Sequence, residues 1–162
     1  MLHIMNANLL IHFFLTDNNE FVILHNRKVR TYRQAKAICA LRGMTLPLPR
    51  TKALNDELDR ETNGVGEFYL GLDKKESNIF NWADGEIPSW GNWLTPHEKA
   101  YSSPDHAPGK DCATMVKSRV PDHTKAWEYV ECMNETAGEK DVVCEHGGKI
   151  MFFGTFFTSY TP

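Results

Sequence analysis

Four cysteines are the residues whose chemistry is easiest to interpret in this sequence. They are Cys39, Cys112, Cys132 and Cys144. No two of them form a C-x-x-C pair, so zinc-ribbon and thioredoxin spacings are missing, and Cys144-Glu145-His146 matches no structural zinc motif. An even number of widely spaced cysteines is typical of two disulfides formed in an oxidising compartment, and four cysteines permit three pairings. The sequon Asn134-Glu135-Thr136 agrees with a secreted protein glycosylated at Asn134.

Common catalytic motifs are missing. The sequence has no Gly-x-Ser-x-Gly elbow, no phosphate-binding glycine loop and no His-Glu-x-x-His pair. None of the seven histidines has a carboxylate at a helical spacing, so we interpret them as surface or strand residues. The sequence therefore predicts a protein that is not an enzyme.

Composition and charge exclude several classes of partner. The chain has 162 residues, the size of one ordinary domain, and a net charge of -3 with both signs well mixed. Without a basic stripe, nucleic acid and anionic membranes are not expected as partners. No apolar run reaches the roughly 18 residues needed to span a bilayer, so no membrane span is expected.

Two helices are predicted in the first half of the chain. After a short strand at Phe21–Leu24 and a polar turn at residues 25–28, Thr31 has the capping-box spacing with Gln34. Thr51 begins a second helix, which ends near Gly64. Both helices have narrow apolar stripes, and we expect them to pack on one side of a sheet.

The pattern in the second half of the chain predicts strands and a long loop. The expected strands are Phe68–Leu72, Phe80–Ala83, Cys112–Val116, Ala126–Cys132 and Val142–His146. Gly71, inside the first of them, indicates a close backbone approach. Residues 86–110 have no clear periodicity, and a structureless stretch of that length in a compact domain usually indicates either a functional loop or a wrong assignment of elements. The fold class is α+β.

Six segments, in this order, resemble the C-type lectin-like domain. They are Ala35–Gly43, Tyr69–Leu72, Phe80–Gly85, Gly109–Cys112, Trp127–Cys132 and Val143–Glu145. Tyr69–Leu72 resembles the family's Trp-Ile-Gly-Leu, Gly109–Cys112 its Gly-Glu-Asp-Cys, and Trp127–Cys132 its Trp-Asn-Asp-x-x-Cys. The resemblance implies two helices on short antiparallel sheets with a long loop, and Trp82 and Trp127 in the core.

The resemblance also implies a disulfide pairing and domain limits. The pairs would be nested, Cys39 with Cys144 and Cys112 with Cys132. The domain would cover residues 17–146, between an apolar segment at residues 1–16 and an aromatic tail at residues 147–162. Two interpretations of residues 1–16 stay open, a degraded secretion signal or an extra strand. The two apolar ends would lie side by side and pair as an antiparallel extension of the terminal strands, and if that patch is left exposed a homo-oligomer or larger assembly is expected; the alternative is a tail that is disordered or not part of the natural protein.

Sugar-binding members of this family hold Ca²⁺ in the long-loop region, and the resemblance maps their ligand positions onto this chain. The Glu-Pro-Asn triplet becomes Ser103-Pro104-Asp105, the next glutamate becomes Lys110, and the Asn-Asp pair becomes Glu128 and Tyr129. Asp105 and Glu128 are weak metal candidates, because Ca²⁺ needs 6–8 oxygen ligands. We therefore expect the principal Ca²⁺ site to be lost and no cofactor to be required.

The same residues are the candidate ligand-binding set. Lys110 would pair with Asp105 or Glu128, a network we favour over a glycosidase-like carboxylate pair. Tyr129 would then offer an apolar face with a hydroxyl tip, and Trp90 and Trp93 are candidates for stacking or interface contacts. The expected function is that of a secreted recognition module for a protein or glycan without the principal Ca²⁺. The alternatives are a Ca²⁺-dependent lectin and a structural subunit of an extracellular assembly.

Overall fold

The computed structural model describes residues 20–74, 79–94, 109–117 and 125–146. Its elements are β1 (Glu20–Val29), α1 (Tyr32–Ala40), α2 (Lys52–Glu61), β2 (Phe68–Lys74), β3 (Phe80–Trp82), β4 (Cys112–Val116), β5 (Ala126–Val130) and β6 (Lys140–His146). The predicted α+β class is confirmed. The predictions for residues 1–16, for the tail at 147–162 and for Ser103-Pro104-Asp105 lie outside the described residues.

The described strands form one mixed sheet. Their order is β1-β6-β2-β4-β5, and β3 pairs with β2 off this path. Every pairing is antiparallel except that of β2 with β6, which are parallel neighbours at Phe68 and Asp141. The sequence predicted short antiparallel sheets, so this parallel contact is a correction to the pairing within the confirmed fold class.

Both helices begin where the sequence predicts. The Thr31 hydroxyl accepts a hydrogen bond from the Gln34 backbone N–H at 3.3 Å, and the Gln34 side-chain oxygen accepts from the Thr31 N–H at 3.2 Å, which confirms the capping box. At α2, the Thr51 hydroxyl accepts from the Leu54 N–H at 3.2 Å. These bonds satisfy amides that a helix leaves unpaired in its first turn.

The two helices pack on opposite faces of the sheet, so the expectation of a shared side is wrong. The side chain of Tyr69 packs with Ala35 and Cys39 of α1. Leu70, its neighbour in β2, packs with Leu58 of α2. Successive strand side chains point to opposite faces, and β2 is buried along almost its whole length. A strand that is buried on both faces needs packed elements on both sides of the sheet, and a continuous apolar run in the sequence indicates such a strand.

The predicted polar turn at residues 25–28 is also corrected, because those residues lie within β1. The register against β6 shifts between Ile23 and Lys28, and Asn26 has φ of 65°, so the polar stretch forms an irregularity in the strand. Its side chains are exposed, as suits a strand at the edge of the sheet.

Two nested disulfides join distant parts of the chain. Cys39 of α1 is bonded to Cys144 of β6, and Cys112 of β4 to Cys132, just after β5. This pairing confirms the one that the family resemblance implied.

Gly71 lies against the segment that contains Leu46 and Leu48, and a substitution at Gly71 tests this close approach. A Cβ atom there would meet the Leu48 side chain at 2.5 Å and the Leu46 carbonyl oxygen at 3.1 Å. We expect Gly71→Ala to lower the free energy of unfolding by about 1–3 kcal/mol, as overpacking does. Urea unfolding measures it. Gly138→Ala is the matched control, since a Cβ there meets nothing within 4 Å. Equal stabilities for the two variants would contradict the close approach at Gly71.

Candidate ligand-binding cleft

A polar cleft of about 340 Å³ opens beside the strand ends of β2, β5 and β6. Its walls include Glu67, Lys110, Glu128, Tyr129, Asn134 and Lys140. A second depression of about 320 Å³ is adjacent, since it shares Glu67 and Glu128 and is also lined by Lys117. Three of the candidate residues, Lys110, Glu128 and Tyr129, line this cleft, and the described residues show no ion pair between Lys110 and Glu128.

The sheet holds the cleft residues in place. Glu128 and Tyr129 lie in β5, opposite Thr114 and Ala113 of β4. Lys110 lies two residues before β4, whose first residue is fixed by the Cys112 disulfide. Because these positions are set by strand pairing and by a covalent bond, the cleft walls do not depend on the long loop alone.

Glu67 and Lys140 form the other wall. The Asp141 N–H donates to the Glu67 carbonyl oxygen at 2.8 Å, which places the start of β6 beside the residue that precedes β2. The Lys140 Nζ atom lies 3.4 Å from a Glu67 carboxylate oxygen, and the Lys140 side chain is only 6 % exposed. A lysine that is so buried requires its partner, because an unpaired charge away from water is costly.

The Tyr69 ring contacts the Lys140 ammonium group of this ion pair. The Lys140 Nζ atom lies 5.5 Å from the centre of the Tyr69 ring, a cation–π contact. Burial, followed by the negative charge of Glu67, raises the pKa of Tyr69 to about 12. The phenol therefore stays protonated at neutral pH and donates its hydrogen to the Arg30 carbonyl oxygen at 2.9 Å.

Two of the candidate aromatic residues belong to the core. Tyr129 is 5 % exposed and stacks on Trp93 with ring centres 3.9 Å apart. The expectation that Tyr129 offers an open apolar face is therefore wrong, because alternation along β5 turns its ring to the same face as Trp127. Trp93 is 9 % exposed, whereas Trp90 is half-buried and contacts Trp127 edge to face. A contact role for Trp90 stays a prediction.

The described residues do not fit the principal Ca²⁺ site. Of the mapped ligand positions that the structure describes, Glu128 supplies a carboxylate, Lys110 supplies a cation, and the Tyr129 ring is buried. In the described ranges, no group of three or more histidine, cysteine, aspartate or glutamate side chains is placed to hold a metal. Ca²⁺ takes 6–8 oxygens, which this donor set does not provide.

Three charged cleft residues were not identified from the sequence. Glu67, Glu131 and Lys140 line the cleft, but each has the appearance of an ordinary surface charge at a strand end. Asn134 was identified as a sequon, and only the structure places it at the cleft. Proximity between residues so far apart in sequence depends on strand order, which no local pattern contains.

The fold and the comparisons agree on the class of protein. A family model described as Lectin C-type domain matches residues 28–146, well over half of the chain. The chain therefore belongs to the C-type lectin domain family, which is generally non-enzymatic. No helix among the described residues is long and apolar enough to cross a membrane.

A relative with a similar sequence is a collectin. The chain is similar to Collectin-10 of Xenopus tropicalis, with 28 % identity over 121 residues, which are 72 % of this chain and 39 % of that protein. It thus spans well under half of that relative's length.

Two solved domains establish the fold. The human scavenger receptor C-type lectin carbohydrate-recognition domain gives a TM-score of 0.60 at 21 % identity, covering 82 % of this chain and 92 % of that one. The C-type lectin domain of murine dendritic cell inhibitory receptor 2, solved in complex with an N-glycan, gives 0.62 at 17 % identity, covering 80 % and 91 %.

Proposed function

We propose that this chain is an extracellular recognition module that binds a glycan or protein ligand at the cleft without the principal Ca²⁺. The observation that carries the proposal is Lys110, which lines the same cleft as Glu128 at a position where the family's metal-binding members have a carboxylate. Two disulfides support an extracellular location, since such bonds persist in oxidising compartments.

The charges in the cleft support direct recognition of a polar ligand. The lysines Lys110 and Lys140 offer hydrogen-bond donors, while Glu67, Glu128 and Glu131 offer acceptors. Glu67 and Lys140 already pair with each other, which leaves Lys110, Glu128 and Glu131 as the charged cleft residues outside that ion pair; both glutamates are exposed and Lys110 is partly exposed. A sugar hydroxyl can accept from an ammonium and donate to a carboxylate, and the polar groups of a peptide can do the same.

The binding prediction concerns Glu128. We expect Glu128→Gln to weaken ligand binding about 10-fold, because a hydrogen bond to a charged group contributes about 1.5–3 kcal/mol and one to a neutral amide only about 0.5–1.5 kcal/mol. Ligands found on glycan and extracellular-protein arrays would be titrated against the immobilised chain, in Ca²⁺ and in EDTA. Lys52→Ala is the control, because Lys52 lies on α2 outside the cleft. Binding that EDTA abolishes would contradict the proposal and favour a Ca²⁺-dependent lectin.

The metal prediction concerns thermal stability. We expect the same melting midpoint in about 5 mM CaCl₂ and in EDTA, because Lys110 would repel the cation by several kcal/mol at an effective dielectric constant near 20. A retained site with Kd of about 10⁻⁴–10⁻³ M would instead stabilise the fold by about 1–2 kcal/mol at that concentration. Scanning fluorimetry distinguishes these outcomes, and a midpoint several degrees higher in Ca²⁺ would contradict the proposal.

A further inference from the structure

We infer that Asn134 carries an N-linked oligosaccharide and that this oligosaccharide restricts access to the cleft. The inference rests on the proposed function, since it regulates the same cleft. It depends on three observations: the geometry of the sequon, the place of Asn134 in the cleft wall, and the covalent anchoring of the turn that contains it.

The sequon side chain is held in one orientation. The Asn134 side-chain oxygen accepts hydrogen bonds from the Thr136 N–H at 3.0 Å, the Thr136 hydroxyl at 2.7 Å and the Ala137 N–H at 3.1 Å. Two of these donors are backbone amides, which fixes the oxygen on the inner side of the turn. The amide nitrogen Nδ2 has no hydrogen-bond partner among the described residues, so a substituent on it breaks no bond that the structure shows.

The turn is on the surface and is fixed to the sheet. Met133 and Glu135, on either side of Asn134, are both exposed. Cys132 is bonded to Cys112 at the start of β4, and its carbonyl oxygen accepts from the Tyr32 N–H at 3.0 Å. An oligosaccharide attached here starts from an anchored position, so its direction of departure is set by the fold.

Asn134 lines the same cleft as Lys110 and Glu128. The first sugar would therefore be attached at the cleft wall, within the region that a ligand must enter. An N-linked oligosaccharide is bulky and well hydrated. The attached oligosaccharide would exclude large ligands from the cleft and would leave the residues of the core in place.

The modification is the transfer of an oligosaccharide to the Asn134 side chain. The Asn134 Nδ2 atom attacks the anomeric carbon of an oligosaccharide carried on a lipid diphosphate, the donor class used in the secretory pathway. The bond between Nδ2 and the anomeric carbon forms, the bond from that carbon to the diphosphate oxygen breaks, and Nδ2 releases a proton to solvent. The lipid diphosphate is the leaving group, and no electrons are exchanged with an oxidant.

The test compares the full chain with two variants, all secreted from a glycosylating eukaryotic host. Thr136→Ala removes the sequon, whereas Thr136→Ser keeps it and is the matched control. Intact mass before and after a peptide-N-glycosidase reports occupancy. Accessibility of the cleft is measured without a ligand, as the rate at which Lys110 reacts with a biotin N-hydroxysuccinimide ester. Lys52, whose side chain is 75 % exposed on α2, is the internal reference.

We expect the full chain and Thr136→Ser to carry the oligosaccharide and Thr136→Ala to lack it. Lys110 should react several-fold faster in Thr136→Ala, with Lys52 unchanged. Enzymatic removal of the oligosaccharide from the folded chain should raise the Lys110 rate as well, which covers the case that Thr136→Ala folds poorly. An unmodified full chain, or equal Lys110 rates with and without the oligosaccharide, would overturn the inference. Array binding decides the proposed function separately, because the labelling experiment uses no ligand.

Discussion

Replacing both Cys39 and Cys144 by alanine is expected to lower the free energy of unfolding by about 4–5 kcal/mol. This bond closes a loop with a sequence separation of 105, and the chain-entropy model predicts a stabilisation of that size for such a loop. The pair Cys112 and Cys132 has a separation of 20, for which the same model predicts about 3 kcal/mol. Urea unfolding of both double variants measures the difference.

The second disulfide is also the control for the first. Cys39, Cys144 and Cys112 are fully buried and Cys132 is partly buried, so the first double variant removes more buried sulfur than the second. The difference between the variants therefore contains a loop-length contribution and a smaller packing contribution of the same sign. If the Cys112 and Cys132 variant were the less stable, the loop-length explanation would be wrong and native packing around the shorter loop would dominate.

Trp127→Ala is expected to have an effect of similar size, about 3–5 kcal/mol. Trp127 is fully buried, and its ring contacts those of Trp82, Trp90 and Trp93 edge to face at centre distances of 5.4–5.7 Å. Its indole N–H also donates to the Asn55 side-chain oxygen at 2.8 Å, so alanine would leave that buried oxygen unpaired. Chemical denaturation followed by far-UV circular dichroism measures the loss.

Two further variants separate the contributions at Trp127. Trp127→Phe keeps an aromatic ring but removes the donor to Asn55, and it should be destabilised by about 1–3 kcal/mol, the penalty for one unpaired buried polar group. Trp90→Ala truncates a half-buried neighbour and should be less destabilising than Trp127→Ala. A loss at Trp90 equal to that at Trp127 would show that Trp127 is not the centre of this aromatic cluster.

Local features of the fold were predictable because local chemistry determines them. Thr31 and Thr51 begin helices because their hydroxyls satisfy unpaired first-turn amides, and Gly71 lacks a Cβ because another segment lies against it. The disulfide pairing was available only through resemblance to a family, since the cysteine positions by themselves permit three pairings.

The features that were predicted wrongly, or not predicted at all, depend on how the elements are arranged in three dimensions. The placement of both helices on one side failed because apolar stripes do not say which face of a sheet they cover. Tyr129 was expected at the surface, although alternation along β5 turns it inward. Glu67 and Lys140 are brought together by the neighbouring positions of β2 and β6, which the sequence of neither strand indicates.

The pairing of Glu20 with His146 brings the two described ends of the domain side by side, with a consequence for its response to tension. If the ends were pulled apart, force would pass along the chain from residue 20 to Cys39, cross the sulfur–sulfur bond to Cys144, and leave at residue 146. Only β1, α1 and the last residues of β6 would extend, by about 70 Å in all at the usual reach of an extended chain. The cleft residues, β2, β4 and β5 lie outside this force path, so they bear no direct tension in the oxidised domain, whereas reduction of the bond would place them in the path.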